Sequence, residues 1–147
     1  MDGKVKAVCI SREKGTKKQN IKEAKLIENY GFEDDAHAGD WHRQVSLLGV
    51  ESIDKMKKMG MDLELDFGDF AENITTEGIQ LYSLPIGTIL NIGGNIKLEV
   101  TQIGKECHHG CEILKQVGKC IMPEEGIFAK VLKGGIVKTG DEINIIE

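Results

Sequence analysis

Short apolar segments, separated by glycine-containing turns, constrain this fold more than any other feature of the sequence. The longest unbroken apolar run is Ala7–Ile10. Two apolar segments, Ile89–Ile92 and Ile96–Ile103, flank Gly93-Gly94-Asn95, where positive φ is easily adopted, so they predict a β-hairpin. Two further strands are predicted at Gly126–Leu132 and Glu142–Ile146. Four strands at short intervals in the last 70 residues favour a β-barrel.

The N-terminal half adds shorter strands and one helix. Val50–Met59 carries apolar residues at helical spacing, and Gly60 is expected to end that helix. Glu23–Tyr30 fits either a strand or a helical turn. Three more strands are predicted at Lys4–Ser11, Val45–Leu48 and Asn73–Thr76. The remaining predictions are a loop over Arg12–Asn20, a short helix over Cys111–Val117, and turns at Leu84–Gly87, Gly134-Gly135 and Thr139–Asp141. The predicted class is therefore mainly β with small α elements.

Length and charge exclude several classes of protein. The 147 residues predict a single domain spanning 1–147. Nineteen basic residues against 24 acidic ones give a net charge of −5, which disfavours a nucleic-acid binder. No apolar run approaches the length of about 20 residues that a membrane-spanning helix needs. No charged-then-apolar leader opens the chain, so we expect a cytoplasmic protein without a membrane or nucleic-acid partner.

The most informative count is that of four cysteines, of which Cys107, Cys111 and Cys120 lie close together. A nucleophilic cysteine must be a thiolate, and neighbouring cations such as Lys105 and His108 favour that form. Three cysteines with a histidine also match the ligand set of a structural zinc site. The third interpretation is that these cysteines are small core residues. The fourth, Cys9, lies in a predicted strand and is expected to be an inert core residue.

A second group of polar residues spans positions 34–43. His37 and His42 can bind a metal or donate to an anion, and Arg43 can hold a phosphate through two parallel hydrogen bonds. The alternative is an ordinary solvated loop. Farther along, the amide of Asn73 offers donors and an acceptor to the edge of a heterocycle, but a turn asparagine before a strand is the alternative. Ser46 on these grounds is an ordinary strand serine.

These segments occur in an order that resembles the MOSC domain, named after the C-terminal domain of molybdenum cofactor sulfurase. The resemblance covers nearly the whole chain and is strongest to short, stand-alone bacterial members. The segments that carry it are Gly31–Gly39, His42–Leu48, Ala71–Ile79, Leu84–Gly87, Val100–His108, Gly126–Val131 and Gly140-Asp141. Many family members have arginine and proline just ahead of their characteristic cysteine, whereas this chain has Lys105 and Glu106.

The resemblance implies a MOSC-type β-barrel, similar to the pyruvate kinase barrel, with one or two short flanking helices. It also implies molybdenum cofactor chemistry around one cysteine, which matches Cys107, and Cys107 would ligate molybdenum if the intact cofactor binds. The positions that shape the family's pocket match Asp35, His37, Arg43, Ser46 and Asn73. Beside them, His42, Lys105 and His108 are expected to contact the cofactor, while Cys111 and Cys120 are further candidates for the working thiol.

Three functional hypotheses follow. In the first, Cys107 carries a persulfide to the molybdenum cofactor, molybdopterin, and receives the sulfur from a cysteine desulfurase. Pyridoxal phosphate would then reside on that partner or on another protein of cofactor biosynthesis. In the second, the chain binds the intact cofactor and reduces N-hydroxylated compounds with electrons from a partner. In the third, it is a binding module in which the cysteines and a histidine hold structural zinc.

Overall fold

The computed structural model describes residues 2–11, 19–36, 38–58, 72–104 and 126–146. These residues form eleven strands, one α-helix and one short 3₁₀ helix. The N-terminal strands are β1 (Asp2–Ile10), β2 (Gln19–Asn20), β3 (Glu23–Ile27), β4 (Gly31–Phe32), β5 (Val45–Gly49) and β6 (Ile74–Glu77). The C-terminal strands are β7 (Ile89–Ile92), β8 (Ile96–Ile103), β9 (Ile127–Lys133), β10 (Gly135–Lys138) and β11 (Glu142–Ile146). The helix α1 spans Val50–Lys58, and the 3₁₀ helix spans Leu81–Ser83.

Seven of the described strands close into a barrel. Their order is β1, β11, β7, β8, β9, β5 and β6, and the pairing of β1 with both β6 and β11 closes the ring. Neighbours are antiparallel except β5 and β6, which run parallel and are linked through the segment that contains α1. The predicted mainly β fold with a barrel and a short helix is confirmed.

The barrel encloses the core because its strands alternate inward apolar and outward polar residues. In β8, Ile96, Leu98 and Val100 are buried whereas Lys97 is exposed. The alternation in β1 is less regular because its register against β6 shifts between Val5 and Ala7. Such a shift changes which face of the sheet the following side chains occupy.

A second, smaller sheet packs beside the barrel in the order β10, β3, β4. The strand alternative for Glu23–Tyr30 is therefore right over Glu23–Ile27, and the helical-turn alternative is wrong. The prediction of a turn at Gly134-Gly135 is wrong at its second residue, because Gly135 begins β10. Gly134 is needed there because an added Cβ would collide with the carbonyl oxygen of Leu26.

Other local predictions are confirmed or corrected in detail. The β7–β8 hairpin and β11 have the predicted bounds. The predicted loop over Arg12–Asn20 is wrong at its end, because Gln19–Asn20 pairs with β1 as β2. The helix is confirmed over Val50–Lys58, while its expected end at Gly60 and the short helix over Cys111–Val117 lie outside the described residues. Among the described residues, no helix has the length and apolar character needed to span a membrane.

Candidate functional site

A bulge in β8 places the central residue of the candidate site. Val100 pairs with Ala129 and Gln102 pairs with Phe128, so Thr101 is an extra residue relative to β9. A bulge of this kind redirects the side chains that follow it. The Thr101 hydroxyl lies within hydrogen-bonding distance of the backbone oxygens of His42 and Phe128, and thereby holds the 41–43 segment against β8 and β9.

Gln102 joins two side chains that the sequence identifies as candidate ligand contacts, His42 and Arg43. Its Oε1 lies 3.0 Å from Nε2 of His42 and accepts a hydrogen bond of 3.1 Å from Nε of Arg43. Its Nε2 donates to the backbone oxygen of Gly104 at 2.7 Å. One glutamine therefore connects His42 and Arg43 to the end of β8.

Two aromatic rings complete this group, which we term the Gln102 cluster: Trp41, His42, Arg43, Gln102 and Phe128. The guanidinium carbon of Arg43 lies 5.8 Å from the centroid of the Trp41 ring and 5.4 Å from that of Phe128, within cation–π range of both. Trp41 meets His42 edge-on at 5.7 Å and is 42% exposed. The cluster is thus a partly exposed surface with a flat aromatic face and a positive charge.

The charge of Arg43 is not neutralised within the described part of the chain. The described ion pairs are Lys6–Glu77 and Lys130–Glu99, and neither involves Arg43. Only its Nε is committed to a described partner, so the terminal fork of N–H groups is available. This fork matches the geometry of a phosphate or a carboxylate.

A second polar group is buried and consists of Cys9, Ser46 and Asn73, termed the Asn73 network. Oδ1 of Asn73 accepts from the backbone N–H and the hydroxyl of Ser46, at 2.9 and 3.1 Å. Its Nδ2 donates to the backbone oxygen of Cys9 at 3.0 Å. Asn73 is 1% exposed and Ser46 is 6% exposed. These side chains tie β1 and β5 to the start of β6, and whether Asn73 also contacts a ligand remains a prediction.

Asp35 anchors the loop that leads to the cluster. Its Oδ1 accepts from the backbone N–H of Ser11 at 3.0 Å, and the backbone of Ala36 donates to the oxygen of Ser11 at 2.7 Å. Asp35 is buried. It therefore holds the loop against the end of β1, and its role in shaping a pocket stays a prediction.

Several predicted site residues lie outside the described residues: His37, Lys105, Cys107, His108, Cys111 and Cys120. The segment that contains the three clustered cysteines departs from Gly104 and returns at Gly126. The N–H of Gly104 donates to the oxygen of Gly126 at 2.6 Å, so both ends of the segment meet beside Gln102. Cys9 is buried in β1, as expected for a core cysteine. Within the described ranges, no three histidine, cysteine or acidic residues are grouped to hold a metal ion.

The structure brings together His42 and Arg43, which belong to one predicted group, and it also brings Ser46 together with Asn73. It adds Gln102, Thr101 and Phe128, which were not predicted as site residues. The sequence signal for Gln102 is weak because strand alternation alone does not reveal a bulge or the residue that it redirects.

The described residues define a mainly β protein with a closed barrel and one polar, aromatic cluster near Gly104. The sequence model of the MOSC domain matches residues 34–144, and the chain belongs to that family. Membership associates it with molybdenum cofactor function. No curated protein sequence matches the chain.

Solved structures share the same fold. The YuaD protein from Bacillus subtilis superposes with a TM-score of 0.83 at 20% identity, covering 99% of this chain and 96% of that one. YiiM from Geobacillus stearothermophilus gives a TM-score of 0.76 at 17% identity, covering 99% of this chain and 75% of that one. YiiM from Escherichia coli gives 0.66 at 18% identity, covering 100% of this chain and 70% of that one. At these identities the likeness concerns the fold.

Proposed function

We propose that this protein handles the molybdenum cofactor as a sulfur carrier, with Cys107 as the working thiol and the Gln102 cluster as the binding site for the anionic part of the cofactor. The observation that carries this proposal is the available fork of Arg43. A half-buried guanidinium without a described carboxylate partner favours an anionic ligand.

The residues present fit the chemistry of molybdopterin. Its phosphate suits the terminal N–H groups of Arg43, which can donate two parallel hydrogen bonds. Its flat heterocycle suits the partly exposed aromatic ring of Trp41, since aromatic rings favour offset stacking. When bound, the cofactor would supply the molybdenum centre that accepts sulfur, and this chain would supply the orientation of the phosphate and the ring.

Covalent connectivity supports Cys107 as the working thiol. Three residues of chain lead from Gly104 to Cys107, and a chain advances at most about 3.6 Å per residue. Cys107 is therefore tethered within about 11 Å of Gly104, whose backbone oxygen is bonded to Gln102. Cys111 and Cys120 are farther from this anchor along the chain.

The proposed loading step is a thiol–disulfide type exchange. The Cys107 thiolate attacks the terminal sulfur of a persulfide on a cysteine desulfurase, forming a new S–S bond. The S–S bond of the donor breaks, and its cysteine leaves as a thiolate with the electron pair. No net oxidation or reduction occurs, and pyridoxal phosphate is needed only on the donor.

Intact-mass spectrometry after incubation with a cysteine desulfurase and free cysteine tests this proposal. We expect the wild type to gain the mass of one sulfur atom and Cys107→Ser to gain none. The matched variants Cys111→Ser and Cys120→Ser are expected to load normally. Loading that persists in Cys107→Ser would assign the role to another thiol, and no loading of any variant would contradict the carrier role.

Elemental analysis of the protein purified without oxygen separates the two alternatives from the carrier. Molybdenum with pterin would favour the reductase that receives electrons from a partner. One zinc per chain, with unfolding on chelation, would favour the binding module. A carrier is expected to contain neither metal in stoichiometric amount.

A further inference from the structure

We propose that Gln102 is a positioning residue that fixes the proton of His42 on Nε2 and orients the terminal fork of Arg43. The cluster then presents the donors of Arg43 and, on Nδ1 of His42, one acceptor. For a small oxyanion that contacts both side chains, this arrangement favours one that carries its own hydrogen-bond donor. The inference concerns this arrangement and does not depend on the natural ligand of the proposed function.

The orientation of the Gln102 amide follows from its two fixed neighbours. The backbone oxygen of Gly104 can only accept, so it must face the amide nitrogen at 2.7 Å. Nε of Arg43 can only donate, so it must face the amide oxygen at 3.1 Å. In the reversed amide, the amide oxygen would face the oxygen of Gly104, and the amide nitrogen would face the N–H of Arg43. Neither pair could form a hydrogen bond.

The proton of His42 follows from that orientation. The same Oε1 lies 3.0 Å from Nε2 of His42, and an amide oxygen offers no proton. Nε2 must therefore donate, and in the neutral imidazole Nδ1 is left with its lone pair. No described residue forms a hydrogen bond with Nδ1, so this acceptor is available to a ligand.

A small ligand that contacts both His42 and Arg43 would meet an acceptor on the first and donors on the second. Their nitrogens Nε2 and Nε share one oxygen and are close neighbours. An oxyanion without a proton would meet the lone pair of Nδ1 unfavourably. Hydrogen phosphate carries an O–H that Nδ1 can accept, whereas sulfate at neutral pH carries none. The cluster should therefore prefer phosphate over sulfate of the same charge.

Nitrogen-15 NMR of the imidazole, at a pH where His42 is neutral, tests the tautomer directly. We expect the wild type to carry the proton on Nε2. In Gln102→Leu we expect the two tautomers to be mixed, because the acceptor that selects one of them is lost. Gln80→Leu is the matched control, since Gln80 is exposed and bonds only Tyr82 and Ser83 among the described residues. A proton on Nδ1 in the wild type would overturn the proposal.

Calorimetric titration with inorganic phosphate and with sulfate tests the consequence. We expect the wild type to prefer phosphate about tenfold, the value of one well-placed hydrogen bond to a charged group. The preference should disappear in Gln102→Leu and in His42→Phe, and should persist in Gln80→Leu. An equal affinity for both anions in the wild type, or an unchanged preference in His42→Phe, would contradict the inference.

These measurements use the complete chain without molybdopterin or a desulfurase. If Cys107 fails to carry sulfur while the tautomer and the phosphate preference are found, the proposed function fails and the positioning role stands. If Cys107 carries sulfur but neither the Nε2 tautomer nor the phosphate preference is found, the proposed function stands and the positioning role of Gln102 fails.

Discussion

The Asn73 network and the Gln102 cluster are built from similar polar side chains but use them differently. Asn73 is buried, and Oδ1 and Nδ2 of its amide bond Ser46 and Cys9. Arg43 and His42 are more exposed and commit only one side-chain nitrogen each to described partners. The first group therefore stabilises the barrel, whereas in the second the remaining side-chain nitrogens of Arg43 and His42 have no described partner. We expect variants in the Asn73 network to lower the free energy of unfolding, and variants in the Gln102 cluster to lower phosphate affinity.

The largest effect on stability is expected at Asn73. Asn73→Ala removes the oxygen that accepts from the backbone N–H and the hydroxyl of Ser46. It also removes the nitrogen that donates to the backbone oxygen of Cys9, and all three hydrogen bonds are buried. We expect the free energy of unfolding to fall by about 3 kcal/mol, measured by urea denaturation. Asn95→Ala, at an exposed hairpin position, is the control and should change it by less than about 0.5 kcal/mol. Equal effects of the two variants would show that the Asn73 network does not stabilise the barrel.

Gln44 extends the comparison to the residue next to Arg43. Gln44 is buried, and its Oε1 accepts from the N–H of Val131 at 2.8 Å. Gln44→Leu leaves that buried N–H without its partner and should cost about 2 kcal/mol in unfolding free energy. Gln80→Leu, at an exposed glutamine, should cost less than about 0.5 kcal/mol. A stable Gln44→Leu protein would show that the N–H finds another acceptor.

Arg43→Met should weaken the binding of inorganic phosphate about tenfold or more, because a charge-assisted fork is lost. The unfolding free energy should change by only about 1 kcal/mol, the scale of the lost cation–π contacts. Lys97→Met removes the same charge from an exposed position on β8 and should bind phosphate normally. Phosphate affinity is measured by calorimetry. A similar loss of affinity in both variants would indicate a general effect of net charge.

The smallest effect is expected at Ser46. Ser46→Ala removes one hydroxyl that donates to Oδ1 of Asn73 and accepts from its backbone N–H at 2.9 Å. The hydrogen bond from the backbone N–H of Ser46 to Oδ1 of Asn73 remains. We therefore expect the free energy of unfolding to fall by about 1 kcal/mol, measured by thermal or urea denaturation. Phosphate affinity should be unchanged. A loss of affinity in Ser46→Ala would instead place Ser46 in the ligand site.

The sequence predicts those parts of the molecule that local chemistry determines. The β7–β8 hairpin has its predicted bounds because Gly93-Gly94-Asn95 specifies a turn and the flanking residues alternate. By contrast, β10 was missed, since Gly135 belongs to a strand whose partner β3 is far away in the chain. Pairing of that kind depends on tertiary contacts that no local pattern encodes.

The same distinction applies to the site. His42 and Arg43 were predicted because their side chains have recognisable chemistry within one short segment. Gln102 was not predicted, because its role depends on the bulge at Thr101 and on two partners about 60 positions away in the sequence. The hydrogen bonds by which Asn73 and Ser46 connect strands of the barrel are also visible only in the structure. In the sequence, an asparagine before a strand is compatible with several functions.

The hydrogen bond between Gly104 and Gly126 brings together the two positions between which the cysteine segment is inserted in the sequence. Because the barrel itself joins these two glycines, the cost of closing the intervening chain depends only weakly on its length. The entropy of loop closure therefore places little limit on how many residues stand between the two glycines. A barrel of this kind can carry insertions of different length and chemistry between the ends of β8 and β9.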